Sequence, residues 1–169
     1  MAVSTFPAPS GSSVPNWTLL QTATPSGVTS VTFSSLSGYS KYRVVAIKLG
    51  AATAFAPILQ CNGDSGSNYS YYGTVLTGTT WIANAIVQDT SYHLTNANGN
   101  ALAAFDIDID HALLLAPKII TSHCVNGLTI AESNANGSYQ TSSLLTSITI
   151  ADLGGHSFNN GSIYLYGVN

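Results

Sequence analysis

Three carboxylates alternate with isoleucines where the sequence reads FDIDID, the densest group of chemically active side chains in the chain. Successive side chains of a β-strand point to opposite faces, so Asp106, Asp108 and Asp110 would share one face of a strand. Such a face could bind a hard cation if neighbouring strands added oxygen ligands, or hold a catalytic acid pair. It is also typical of a solvated strand face opposite a core face, which is what we expect here. The carboxylates could instead meet a neighbour that carries the basic residues Lys41, Arg43 or Lys48.

The histidines and cysteines form no pattern that is typical of a metal site. Neither a His-x-His pair nor a His-Glu-x-x-His motif occurs, so we expect ordinary hydrogen-bonded side chains at all four positions: His93, His111, His123 and His156. Cys61 and Cys124 each lie in an apolar run, which predicts two buried thiols, and a disulfide is the alternative. The sequence predicts no metal and no cofactor.

The segment GDSG at 63–66 is similar to the nucleophile loop of trypsin-like proteases. It follows an Asn-Gly pair, and no His and Asp partners stand in that family's surrounding motifs, so we predict a turn. A polysaccharide-degrading enzyme is an alternative, but it needs two carboxylates facing each other across a cleft, and none is paired by the sequence. We therefore predict that the chain is not an enzyme.

Charged residues make up 7% of the 169 residues, against roughly 25% in an ordinary domain. With four basic residues and a net charge of −3, the chain cannot build the positive field that nucleic-acid binding requires. Its longest apolar runs are too short to span a bilayer, and its start does not resemble a signal peptide. We expect a soluble chain made in a cytoplasm, with no nucleic-acid or membrane partner.

Short runs of β-forming residues, broken by turn signals every 8–12 residues, extend from position 16 to the end. They predict an all-β fold: one antiparallel sandwich domain over 16–169, jelly-roll-like, with about ten strands. HALLLA could hold a helical turn, and TTWIANAIV is ambiguous. Residues 1–15 lack an apolar period and predict an extended N-terminal arm that anchors the chain through Pro7, Pro9 and Pro15.

Tyrosines are abundant, and the terminal SIYLYGV places them on one side of a strand. There Ile163 and Leu165 would face the core, while Tyr164 and Tyr166 face the other way. Exposed rings of this kind suit a subunit interface or a sugar platform, and the alternative is a sheet covered on both faces.

Three segments together resemble β-sandwich proteins of tailed bacteriophage virions. The first is WTLLQTATPSGVTSVTFSSLSGYSKYRVV. The second is ILQCNGDSGSNYSYY, with the turn N-x-D-x-G-x-N-Y, and the third is the terminal FNNGSIYLYGVN. The resemblance covers the first half and the end of the chain, and the stretch 80–155 is not distinctive.

The resemblance implies a non-enzymatic, usually trimeric part of the virion exterior. We expect a capsid decoration protein that stabilises the shell and binds the major capsid protein or other virion proteins. The alternative is a tail-fibre or baseplate tip that binds a host surface glycan through loops 62–72 and 133–140. The predicted interface or binding residues outside the arm are Asn62, Asp64, Asn68, Tyr69, Tyr71, Tyr164 and Tyr166.

Overall fold

Twelve antiparallel strands in two sheets make up the regular structure of the described residues. The structure is a computed structural model, and it describes residues 16–51, 56–77, 79–94, 102–126 and 131–169. The predicted arm over 1–15 lies outside these ranges. The strands are β1 (Thr18–Ala23), β2 (Ser30–Phe33), β3 (Lys41–Ala51), β4 (Pro57–Cys61), β5 (Tyr69–Thr77), β6 (Thr80–Asp89), β7 (Tyr92–His93), β8 (Leu102–Asp110), β9 (Lys118–Asn126), β10 (Ala131–Tyr139), β11 (Ile148–Asp152) and β12 (Phe158–Val168).

The larger sheet has eight strands in the order β1-β12-β3-β8-β9-β10-β5-β6. The smaller sheet has four, in the order β2-β11-β4-β7. This confirms the predicted all-β antiparallel sandwich, with twelve strands in the described ranges where about ten were expected. The jelly-roll connectivity stays a prediction.

Strand alternation builds the core between the sheets. In β8 and in β3 from Lys41 to Ala46 every second residue is buried, so that Val44 and Ile107 are fully covered while Arg43 and Asp108 are not. Residues from both sheets form one hydrophobic cluster. Across it, the Tyr92 hydroxyl of the small sheet lies 3.2 Å from the Ser122 hydroxyl of the large sheet. The inner faces are therefore apolar with a few hydrogen-bonded polar groups, as close packing requires.

Four expectations about local structure are settled by these elements. The ambiguous TTWIANAIV lies in strand β6 and the turn before it, and HALLLA is a turn without a helix. The segment 133–140, expected as a loop, is almost entirely strand β10, paired on both sides by β9 and β5. The loop expected over 62–72 ends at residue 68, because β5 starts at Tyr69.

Both cysteines are buried thiols that form no disulfide with each other, which confirms the prediction. Burial raises the pKa of Cys61 to about 12 and that of Cys124 to about 12. In the part of the chain that the structure describes, no helix has the length and apolar character needed to cross a bilayer.

Candidate functional site on the outer face

The outer face, defined as the side of the eight-stranded sheet that points away from the small sheet, carries most of the chain's charges. Strand β3 and strand β8 pair with Arg43 opposite Asp108 and Val45 opposite Asp106. The expected solvated strand face is thus present, since Asp106, Asp108 and Asp110 are all partly exposed. The basic residues that meet it come from the neighbouring strand of the same chain.

Two cations from β3 are interleaved with the three carboxylates of β8. Lys41 Nζ lies 3.1 Å from Asp108 Oδ2 and 3.3 Å from Asp110 Oδ2. Arg43 donates through Nη2 to Asp106 Oδ2, and its Nε lies 3.7 Å from Asp108 Oδ1. Partial burial disfavours the Lys41 charge, but the hydrogen bonds and attraction of Asp108 and Asp110 outweigh it and raise the pKa of Lys41. Each of the three carboxylates is thereby paired with at least one cation from the neighbouring strand.

Aromatic and polar side chains extend this network in both directions. The Trp17 ring lies 6.0 Å from Lys41 Nζ and 6.0 Å from the Arg43 guanidinium, at the edge of cation–π range. On the other side, His123 Nε2 lies 3.1 Å from Glu132 Oε1, which also accepts a 3.3 Å hydrogen bond from Asn134. The bonds from Asn134 and then His123 lower the pKa of Glu132.

The strand register places six outer-face residues, one from each of six neighbouring strands, in a single row across the sheet. It begins and ends with a tyrosine and spans five strand spacings, about 24 Å at about 4.8 Å each. The row reads Tyr166, Arg43, Asp108, Thr121, Asn136 and Tyr72. Beside its middle lies a shallow depression of about 250 Å³, whose lining includes Asp106, His123 and Asn134.

The outer face is suited to binding a polar ligand by hydrogen bonds and ring stacking. It offers amide, hydroxyl, imidazole and carboxylate groups between aromatic rings, a combination used by polar-ligand sites. Within the described ranges, no group of three His, Cys, Asp or Glu residues could hold a metal ion.

No protein-family model matches this chain, and no curated protein matches its sequence.

The N-x-D-x-G-x-N-Y turn is tied together internally. Asp64 accepts hydrogen bonds from the Gly66 N–H at 2.7 Å and from Asn68 Nδ2 at 2.8 Å, and the Gly66 bond lowers the pKa of Asp64. The Tyr69 hydroxyl accepts from the Cys61 N–H at 2.8 Å and donates to the Asp64 carbonyl at 3.1 Å. Three of the predicted binding residues therefore use their side chains to build this turn: Asp64, Asn68 and Tyr69.

The tyrosines of the sequence prediction divide between the two faces. Tyr69 and Tyr71 are buried, where desolvation raises the pKa of each hydroxyl, so their rings contact the core. Tyr164 and Tyr166 lie partly exposed on the outer face, while Ile163 and Leu165 are fully buried. The predicted alternation of the terminal strand is confirmed.

Sequence reasoning missed the hairpin of β5 and β6 as a surface feature. Trp81 is 52% exposed, Ile82 53%, Val87 76% and Tyr72 57%, so apolar side chains are exposed on both faces of this hairpin. The feature of the sequence that could have indicated this surface is the absence of any charged residue between Trp81 and Gln88.

Proposed function

We propose that the chain is a non-enzymatic structural protein of the exterior of a tailed-phage particle, and that it works by presenting matched surfaces to its neighbours. The observation that supports this is the exposed β5–β6 hairpin, which has no charged residue before Asp89 and whose apolar side chains face solvent on both sides. Large exposed apolar patches mark interaction sites, and a protein whose role is assembly needs such a patch. The resemblance described above supplies the virion setting and the trimer.

The first assignment is capsid decoration, in which the chain binds the major capsid protein or another shell protein and stabilises the shell. Quantitative mass spectrometry of purified particles tests it. A decoration protein is present at a copy number comparable to that of the shell subunit, and it binds again to particles from which it has been stripped. A chain present in only a few copies per particle would rule out decoration.

The anchoring role of residues 1–15 is part of this proposal. Deleting these residues should weaken loading onto stripped particles while the sandwich stays folded, because all twelve described strands lie between Thr18 and Val168. Unchanged loading of the truncated chain would remove the arm from the proposal.

A second candidate function, glycan binding by a tail-fibre or baseplate tip, is favoured by the tyrosine-flanked row on the outer face. The binding surface would then be Thr121 together with Asn136 and Tyr72, which lie within the ranges 133–140 and 62–72 but on strands rather than loops. Four carboxylates against two cations on this face favour a neutral or basic sugar over an acidic one.

Adsorption of the purified chain to host cells tests this second function. Tyr72→Ala and Asn136→Ala should each reduce adsorption by about tenfold, the loss expected when one stacking or polar contact is removed. Thr149→Ala, on the outer surface of the small sheet, is the matched control and should adsorb normally. Equal adsorption by all three variants would remove the outer face as a glycan site.

A further inference from the structure

Strand β6 forms one edge of the eight-stranded sheet and is the longest edge strand of the described fold. It pairs with β5 on one side, and within the described ranges no strand pairs with its other side. Every second residue of such an edge points its N–H and C=O away from the sheet. The other edge strands are shorter: β1 has six residues and a register irregularity, β2 has four and β7 has two.

The composition of β6 lacks the devices that usually protect an exposed edge. Proteins keep edges from pairing with lysines, prolines, bulges or inward-pointing charges. From Thr80 to Gln88 the strand has no charged residue and no proline. Its register with β5 is continuous from Thr80 to Ile86, and the irregularity in the pairing lies beyond this stretch, between Ile86 and Asp89, where Gln88 has a φ of 58°. An edge strand that is long, uncharged and apolar on both faces is a template for pairing with another strand.

We propose that β6 pairs antiparallel with β6 of a second copy of the chain, so that the two large sheets join into one continuous sheet. A second copy is the occupant favoured by charge, because an uncharged strand meets its own copy without like-charge repulsion. The proposal rests on the proposed function only in that both use the β5–β6 hairpin.

The side chains select one register for this pairing. When two copies of a strand pair antiparallel about a two-fold axis, the residues that face each other lie on the same face of the sheet. The two residue numbers of every such pair add up to the same value. With Asn84 on the axis, Trp81 lies opposite Val87 of the partner subunit, and Ile82 lies opposite Ile86 of the partner subunit. Three of these side chains, Trp81, Ile82 and Val87, are at least half exposed in the single chain. Aromatic–branched and branched–branched pairs stabilise neighbouring strands.

The contact is small, which sets its expected strength. A stable interface buries about 800 Å² per partner, and one edge strand with its flanking side chains covers less. We therefore expect a dimer that forms with rising concentration between about 1 and 100 µM. A trimer contact, if present, uses other surfaces.

Cross-linking of the full chain tests the register directly. Cα atoms of an antiparallel pair lie about 4.5 to 5.5 Å apart, within the range that a disulfide spans. Asn84→Cys should form disulfide-linked pairs under mild oxidation, because position 84 faces its own copy and the native thiols are buried. Leu19→Cys, exposed on the opposite edge strand, is the control and should stay unlinked. Failure of Asn84→Cys to link, or equal linking of both variants, overturns the proposal.

A charge-swap pair gives a second, independent measurement. Ala83 and Ala85 are exposed, and in this register each faces the other across the axis. Ala83→Lys with Ala85→Lys places like charges opposite each other and should weaken dimerisation in sedimentation velocity at least about tenfold. Ala83→Lys with Ala85→Glu places opposite charges there and should restore it. Association that is the same in both double variants would contradict the register.

These results are separable from the proposed function. A chain that dimerises through β6 but is absent from particles removes the virion role and leaves the contact standing. A chain that decorates particles but does not link through position 84 removes the contact and leaves the virion role standing.

Discussion

Asn62 and Thr146 are 84 positions apart, yet Asn62 Oδ1 accepts the Thr146 N–H at 2.8 Å. The same side chain donates through Nδ2 to the Leu144 carbonyl at 2.8 Å. It thereby ties the end of β4 to the segment that enters β11, and the two strands then pair. Asn62 has a φ of 56°, the left-handed conformation that asparagine tolerates better than most residues. Its side chain therefore has a structural task inside the fold.

Two substitutions of Asn62 should measure separately what its side-chain hydrogen bonds and its left-handed backbone conformation contribute to the free energy of unfolding. Asn62→Gly loses at least two side-chain bonds and should lower the free energy of unfolding by about 2 kcal/mol. Asn62→Ala loses the same bonds and adds the cost of a left-handed alanine, for a total of about 3 kcal/mol. Urea unfolding measures both. If the alanine variant were no less stable than the glycine variant, the backbone contribution would be wrong.

Gly137 should not accept a side chain. It pairs with Tyr71 across β10 and β5, and a Cβ there would lie 2.3 Å from the Ser70 carbonyl oxygen and 2.6 Å from Tyr71 Cβ. Gly137→Ala forces the two strands apart and should cost about 2 to 3 kcal/mol, as overpacking does. Thermal unfolding checks this, with Ser138→Ala on the outer face as a control that should change stability by less than about 0.5 kcal/mol. A fully stable Gly137→Ala chain would show that β5 and β10 are farther apart than described.

The native thiols should resist alkylation. Cys61 and Cys124 are buried, and burial raises the pKa of each to about 12, so little thiolate exists at neutral pH. In the folded chain, labelling should be as slow as unfolding, and in denaturant both thiols should react at once. Thr32→Cys, exposed on the small sheet, supplies a thiol that should react quickly in the folded chain. Fast labelling of the native chain at two sites would show that the core opens locally.

The Asp64 carboxyl group should make the free energy of unfolding depend on pH in the acidic range. The Gly66 N–H and Asn68 hold the pKa of the Asp64 carboxyl below its usual value, so its contribution to stability is fully present above that value. It is lost as the pH falls through the lowered pKa of the folded state. Native chain and Asp64→Asn should therefore differ most in urea midpoint near pH 7, and the difference should shrink below about pH 4. A difference that grows on acidification would reverse the sign of this argument.

The alternation of residue types was sufficient to predict the faces of several strands. FDIDID and SIYLYGV each contain a two-residue period, and the buried and exposed sides of β8 and β12 follow it. The turn at 62–66 was also predictable, because asparagine and glycine favour the positive φ values found at Asn62 and Gly63. These features depend on neighbours in the chain, which a sequence displays directly.

The partners of these residues depended on strand order. Arg43 and Asp106 are 63 positions apart and meet because β3 lies beside β8, a pairing that no local pattern encodes. The same is true of the row from Tyr166 to Tyr72, which crosses six strands. The burial of Tyr69 and Tyr71 was also beyond the sequence, since a tyrosine suits a core as well as an interface.

The sequence by itself thus determined that this chain forms an antiparallel sandwich poor in charge, because the two-residue period and the turn residues are local properties. Only the tertiary structure decided which faces remain open. The hairpin of β5 and β6 lies at the end of the large sheet because β10 pairs with β5 and no described strand follows β6. That position leaves Trp81 and Val87 exposed, so the surface available for assembly is a consequence of strand order rather than of residue pattern.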